Sequence, residues 1–162
     1  MKTIIKTLTV ILAFFFSITA CQKSPAPLTE SEKEEIKKEI RQLWDYSGDG
    51  ITERNADKTF SMFSSNEGVK YIRDGHLYGS IDEARNQYAE WFKNPNSVKR
   101  KISSDPVIFD ILDKNTVLMT AIGKLEVVDD TTGQKPWVIT YTLLWRKEPE
   151  GWKVFNVHNL WE

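Results

Sequence analysis

The chain has 162 residues, with 22 basic and 23 acidic side chains and a formal net charge of −1. This near balance, with no basic run denser than Lys99-Arg100-Lys101, argues against a nucleic-acid partner. A single cysteine excludes a disulfide within the chain, so the fold must be held by its core.

The N-terminal 20 residues have the pattern of a bacterial secretory signal. Lys2 and Lys6 precede an almost wholly apolar run over 8–16, and small residues then lead to Cys21. The run is shorter than the roughly 20 residues that span a bilayer. The motif Ile-Thr-Ala-Cys resembles the lipobox of bacterial lipoproteins, which implies cleavage before Cys21 and a stable lipid anchor on its thiol. An ordinary signal peptide with a stray thiol, or an uncleaved anchor, is the alternative.

The sequence divides into three regions. Residues 1–20 are the expected lipoprotein signal peptide, residues 21–28 the lipidated cysteine with a proline-containing tether, and residues 29–162 one compact domain. By analogy with bacterial sorting rules, Gln22 after the cysteine favours the outer membrane. We expect a lipid-anchored envelope protein, with the periplasmic side of the outer membrane favoured and the opposite face left open.

A long first helix is expected at the start of the domain. Thr29 or Ser31 can cap it, with Glu32 or Glu34 three places on to complete a capping box. Residues suited to a buried face then recur at helical spacing: Ile36, Ile40, Leu43, Trp44, Ser47 and Ile51.

The stretch "DYSGDGITERNA" begins like a calcium-binding loop. Asp45, Ser47 and Asp49 alternate, and Gly50 follows at the turn position. Such a loop ends in a bidentate Glu at position twelve, where this chain has Ala56. The helical spacing continues through the same residues, so we expect the end of the first helix, with a break or kink open at the glycines, and no metal site.

Short elements are expected in the middle of the domain. A second helix fits 56–63, with Phe60 and Phe63 inward, and Asp74-Gly75 predicts a tight hairpin between strands at 69–73 and 76–78. Ser80 with Glu83 can cap a third helix, which Pro95 ends. Its expected buried stripe comprises Ile81, Ala84, Tyr88, Trp91 and Phe92.

From residue 98 onward, apolar residues recur at every second position. This spacing predicts four antiparallel strands at 98–111, 116–128, 137–146 and 152–161. Helices followed by a meander make an α+β layout. Alternate residues of the third strand, from Trp137 to Trp145, share one face, and the other face is also apolar or small. Because such a strand is covered on both sides, we expect a homodimer through the outer face of the sheet.

These features together resemble the nuclear transport factor 2 superfamily, and within it the SnoaL-like branch. The residues that carry the resemblance are Asn55-Ala56-Asp57, Asp74-Gly75, Gly79, Gly151-Trp152-Lys153-Val154 and His158. The resemblance implies a cone-shaped, cystatin-like fold, in which three N-terminal helices pack on a curved, mostly antiparallel sheet. It also implies a pocket at the open end of the cone.

Fold alone does not name the activity, because the superfamily includes ketosteroid isomerase, polyketide cyclases, dehydratases and members without a known reaction. Acid–base chemistry needs a carboxylate or His near an apolar ligand, but the isomerase pattern does not transfer cleanly. We expect Tyr71 and Trp91 at the mouth and Tyr141 and His158 on the sheet wall. The full set of ligand-pocket candidates is Trp44, Tyr71, Asp74, His76, Trp91, Tyr141 and His158.

For two of these candidates a structural role is an open alternative: Asp74 in its turn and His158 bonded to the backbone. The sequence has no nucleophile motif, phosphate loop or metal-ligand spacing, so no cofactor is expected. The favoured function is a non-catalytic, lipid-anchored domain that binds a small apolar ligand or a partner protein. The alternative is an acid–base enzyme, of isomerase, cyclase or dehydratase type, acting on a small apolar carbonyl compound.

Overall fold

The computed structural model describes residues 27–94, 99–128 and 133–162. The expected signal peptide, Cys21, most of the tether and Pro95 lie outside these ranges. The elements are α1 (Glu30–Glu53), α2 (Ala56–Phe60), β1 (Lys70–Arg73), β2 (His76–Leu77), α3 (Ile81–Lys93), β3 (Arg100–Asp113), β4 (Thr116–Val127), β5 (Trp137–Glu148) and β6 (Gly151–Trp161). None of the helices in the described part is long and apolar enough to cross a membrane.

Helix α1 begins with the expected capping box. The Thr29 hydroxyl accepts a hydrogen bond from the Glu32 backbone N–H, and the Glu32 carboxylate accepts one from the backbone N–H of Thr29. The helix continues through both glycines to Glu53 without a break. Gly50 allows this because a Cβ there would lie 2.5 Å from the backbone nitrogen of Thr59, so α2 packs directly against α1 at this point.

The calcium-like spacing is therefore part of a helix rather than a loop. Asp45 forms an ion pair with Arg41 at 2.9 Å, one turn earlier on α1. Ser47 is buried and donates a hydrogen bond to the backbone carbonyl of Thr59. The side chains that alternate in the sequence point around the helix and serve packing and surface charge pairing.

The Asp-Gly hairpin forms as the sequence predicts. Asp74 (φ 51°) and Gly75 (φ 79°) both adopt the left-handed conformation, as a tight turn of the hairpin type requires. The Asp74 carboxylate accepts a hydrogen bond of 2.8 Å from the backbone N–H of Trp161, which ties the turn to the last strand. Helix α2 is shorter than expected, but Phe60 and Phe63 are both buried.

The six strands form one sheet in the order β2-β1-β6-β5-β4-β3. All neighbours are antiparallel except β1 and β6, which run parallel. The core lies between the inner face of the sheet and the three helices, with Ile40, Leu143 and Trp145 fully buried. The expected α+β cone with a curved, mostly antiparallel sheet is confirmed.

A β-bulge in β6 changes which of its residues face the core. Leu144 of β5 pairs with Asn156 and Trp145 pairs with Val154, so Phe155 is the extra residue. Trp152 and Val154 are buried before the bulge, whereas Val157 and Asn159 are buried after it. The even-numbered residues that follow the bulge lie on the outer face.

The start of α1 lies beside the turn between β3 and β4. One surface cleft is lined by residues 111–116 and by Pro27, Leu28, Thr29, Glu32 and Lys33. The backbone N–H of Lys147, near the end of β5, also bonds to this turn, at the carbonyl of Asn115. The chain therefore enters the domain at one end of the sheet, where β5 ends.

Candidate functional site

The inside of the cone contains a small cavity, called here the inner cavity, of about 40 Å³. Its volume has room for only a few water molecules, far below the roughly 300–1,000 Å³ of typical ligand pockets. Large side chains fill the space around it: Trp44 packs edge-to-face on Tyr141, with ring centroids 5.0 Å apart. The other residues of its lining are Ser47, Gly48, Ile51, Thr59, Phe60, Met62, Phe63, Tyr71, Tyr88, Ile102, Leu143, Val157 and Asn159.

A short polar chain crosses the inner cavity. Asn159 donates to the Tyr71 hydroxyl at 3.3 Å, and the hydroxyls of Tyr71 and Tyr88 share a hydrogen bond of 3.4 Å. Burial raises the pKa of Tyr88 to about 12 and raises the pKa values of Tyr71 and Tyr141 well above their usual value. All three phenols therefore stay protonated near neutral pH and do not act as bases there.

A second, larger cavity opens at the edge of the cone, and we call it the mouth pocket. Its volume is about 350 Å³, and its lining comes from the end of β1, the middle of α3, the start of β5 and the end of β6. The lining residues are Arg73, Asp74, Gln87, Tyr88, Trp91, Trp137 and Trp161. Tyr88 belongs to both cavities and forms the wall between them.

The structure distributes the sequence-derived candidates over different places. Trp44, Tyr71 and Tyr141 line the inner cavity, while Asp74 and Trp91 line the mouth pocket. Tyr71 is thus deeper than expected: it is buried inside the cone rather than at its mouth.

The two histidines lie outside both cavities. The prediction that His158 stands on the pocket wall is wrong, because the bulge at Phe155 turns its side chain to the outer face, where it is exposed. Asn159 occupies the inward position instead. His76 is also exposed, and its ring packs against Tyr78 with centroids 4.7 Å apart.

Several lining residues were missed from the sequence. Arg73 and Gln87 are absent from the sequence-derived candidates, yet the Arg73 guanidinium donates to the Gln87 side-chain oxygen at 2.6 Å inside the mouth pocket. One signal was available in the sequence. Arg73 stands two residues after the inward Tyr71 on the short strand before the Asp-Gly turn, and residues two apart on a strand share one face.

The fold and cavities define the class of protein. A curved sheet wrapped around a long helix, with a cavity at the open end, is a cystatin-like cone of the nuclear transport factor 2 type. Crystal structures similar to this chain carry that description. One is an NTF-2-like protein of unknown function from Shewanella oneidensis (18% identity, 76% of this chain and 98% of that chain covered, TM-score 0.64).

Two further crystal structures have the same fold. One is a proposed dehydratase of the NTF2-like family from Streptomyces avermitilis (15% identity, 76% of this chain and 93% of that chain, TM-score 0.62). The other is a proposed calcium/calmodulin dependent protein kinase II association domain from Xanthomonas campestris (16% identity, 84% and 89%, TM-score 0.61). At these identities the likeness shows the fold alone.

The family follows from the sequence itself. Residues 36–160 match the family model of the calcium/calmodulin dependent protein kinase II association domain, and the chain belongs to that family. No curated protein matches the chain. The nuclear transport factor 2-like superfamily expected from the sequence is confirmed, whereas its SnoaL-like branch is not confirmed by these matches.

Proposed function

We propose that residues 29–162 form a non-catalytic association module, held at the bacterial envelope by a lipid on Cys21, whose partner is a second copy of the chain. The observation that carries the proposal is the outer face of the sheet. The central residues of this face are Ile108, Leu118, Thr120, Ile122, Thr140, Thr142, Leu144, His158 and Leu160. Asp110, Lys124 and Arg146 share the face toward its margins.

The central part of the outer face is continuous and carries no Asp, Glu, Lys or Arg. Ile122, Thr140 and Leu160 are paired across three neighbouring strands, and Ile122 and Leu160 are 38% and 48% exposed. Single exposed apolar residues are ordinary on a monomer, but a patch that spans several strands marks an interaction surface. The family name describes association, which agrees with a second copy as the occupant.

The interior of the cone supports the non-catalytic half of the proposal. The described lining of the inner cavity contains hydroxyls and one amide, with no carboxylate and no imidazole. Its phenols remain protonated, so none of them is positioned as a general base near neutral pH. An isomerase, cyclase or dehydratase reaction inside the cone therefore lacks its proton acceptor.

The association test uses one charge placed in the middle of the face. Ile122→Glu should convert the oligomer of the parent chain to a monomer in sedimentation velocity, because two buried carboxylates would meet near the interface. Tyr46→Glu is the matched control, since Tyr46 is an exposed large side chain (52%) on α1, away from the sheet. A monomeric parent at tens of micromolar would contradict the proposal, as would an unchanged oligomer in Ile122→Glu.

The anchor is tested separately. Cys21→Ser should abolish labelling by a fatty-acid probe and move the chain out of the outer-membrane fraction into a soluble or unprocessed form. Undiminished labelling of Cys21→Ser would remove the lipoprotein assignment while leaving the association proposal intact.

A further inference from the structure

One row of directly paired residues crosses the outer face of the sheet, with a member on each of the six strands. His158 of β6 has Ile72 of β1 on one side and Thr142 of β5 on the other. From the β2 edge to the β3 edge, the row is Leu77, Ile72, His158, Thr142, Thr120 and Ile108. His158 therefore lies inside the face proposed for association rather than at its margin, and in the single chain it is exposed.

The nearest neighbours of His158 on this face carry no charge. Ile72 and Thr142 are its partners on the adjacent strands, and Asn156 and Leu160 stand two residues before and after it on β6. His158 also forms none of the ion pairs found in the described part of the chain. A positive charge on its ring would therefore lie among uncharged side chains.

The charged residues that share the face with His158 stand further along the strands. On β1, Lys70 and Asp74 come two residues before and after Ile72, and both are exposed. The Asp74 carboxylate already accepts the backbone N–H of Trp161. The remaining charged residues of the two strands next to this position are Arg146 on β5, and Lys153 and Glu162 on β6. Two cations and two carboxylates at this range give no strong bias toward a protonated ring.

Building on the association proposed above, we propose that protonation of His158 separates the two copies of the chain, which makes their interface sensitive to pH. Among the central residues of the outer face, His158 is the one whose side chain changes its charge between pH 5 and 8. Burial between two copies removes water from the ring and disfavours the charged imidazolium. The copies therefore associate while the ring is neutral, and the association is lost as the pH falls.

The symmetry of a dimer doubles the effect. A two-fold interface takes the same residues from both copies, so each dimer buries His158 twice. Each proton that the separate copies bind and the dimer excludes raises the dissociation constant by up to about tenfold per pH unit. Two such protons give up to about a hundredfold per unit at the acid end of the titration. Between pH 7.5 and pH 5.5 we therefore expect the dissociation constant to rise by at least about tenfold.

The test compares the two histidines of the chain at two pH values. The dissociation constant of the full chain, purified in detergent, is measured by sedimentation equilibrium in a buffer of the same density as the detergent. The parent should show the rise at pH 5.5, and His158→Gln should give one dissociation constant at both pH values, because glutamine does not titrate. His76→Gln is the matched control and should keep the response of the parent. His76 is also exposed, but it pairs with Arg73 and packs on Tyr78, on the side of the sheet that faces the mouth pocket.

Four results would overturn the pH response: a parent dimer with the same dissociation constant at both pH values, tighter association at pH 5.5, a response retained in His158→Gln, or a response lost in His76→Gln. Circular dichroism at both pH values separates dissociation from unfolding, and a parent that unfolds at pH 5.5 would also overturn it. A parent that is monomeric at pH 7.5 would remove the proposed association together with its pH response. A dimer that does not respond to pH would remove the response of His158 alone.

Discussion

Replacing Gly50 with alanine tests how closely the first two helices approach. In an exposed helix the change would be favourable by about 1 kcal/mol, because glycine has a poor helix propensity. Here a Cβ would lie 2.5 Å from the backbone nitrogen of Thr59 and 2.6 Å from its Oγ1. Backbone cannot rotate away as a side chain can, so α2 must shift as a unit.

The magnitude follows from two opposing effects. Overpacking of this kind costs about 1–3 kcal/mol and more when backbone is displaced. A shift of α2 also weakens the hydrogen bond from buried Ser47 to the Thr59 carbonyl, which contributes about 1 kcal/mol. Set against the propensity gain of about 1 kcal/mol, the free energy of unfolding should fall by about 1–3 kcal/mol.

Equilibrium urea unfolding, followed by tryptophan fluorescence at one protein concentration, measures this difference. Gly48→Ala is the control on the same helix, where the new Cβ meets only the Ile102 side chain, at 2.9 Å. Because that side chain can adjust, the change should stay within about 1 kcal/mol of zero. A Gly50→Ala protein as stable as its parent, or more stable, would refute the close approach of the helices.

Three other perturbations address the ion pair, the core and calcium. Glu39 accepts hydrogen bonds from Lys147 (2.6 Å) and from the Trp152 indole (2.8 Å). These contacts, chiefly the one with Lys147, lower the pKa of the Glu39 carboxyl below its ordinary value. Glu39→Gln should therefore be about 1 kcal/mol less stable than the parent in urea titrations near neutral pH, where the carboxylate is charged. The two proteins should converge as the pH falls through the lowered pKa of Glu39, because this stabilisation is lost as the carboxylate protonates; a difference that does not vary with pH would contradict this origin. Leu143→Ala in the core should cost about 2–5 kcal/mol by chemical unfolding, and a loss below 1 kcal/mol would show a loosely packed cone. Millimolar calcium should leave the melting temperature unchanged in the parent and in Asp49→Ala, and a rise confined to the parent would restore the calcium loop.

The sequence predicts the local features of the fold well because their causes are local. The Thr29 capping box and the Asp74-Gly75 turn depend on side chains and dihedral angles within four residues. The continuity of α1 through Gly48 and Gly50 was harder to predict, since two glycines disfavour a helix by propensity. Its continuity depends on packing against α2 and β3, which sequence spacing suggests but does not measure.

The candidate site was harder to predict because one extra residue in β6 shifts the alternation of inward and outward side chains. A strict alternation from Trp152 places His158 inward, and only the extra residue Phe155 brings Asn159 inward instead. No residue pattern in the sequence of β6 marks the bulge. How far the cone is filled likewise depends on how Trp44 and Tyr141 pack together, which is a property of the tertiary structure.

The entry of α1 beside the β3–β4 turn sets a direction for an anchored molecule. The mouth pocket lies where β5 begins and β6 ends, at the other end of the sheet from that turn. The 12 residues of β5 span about 40 Å at about 3.4 Å per residue, whereas the eight residue-to-residue steps from Cys21 to Thr29 reach at most about 28 Å. A lipid on Cys21 would thus not let the sheet stand upright with its mouth pocket against the bilayer, because the tether is shorter than the strand that separates the two ends.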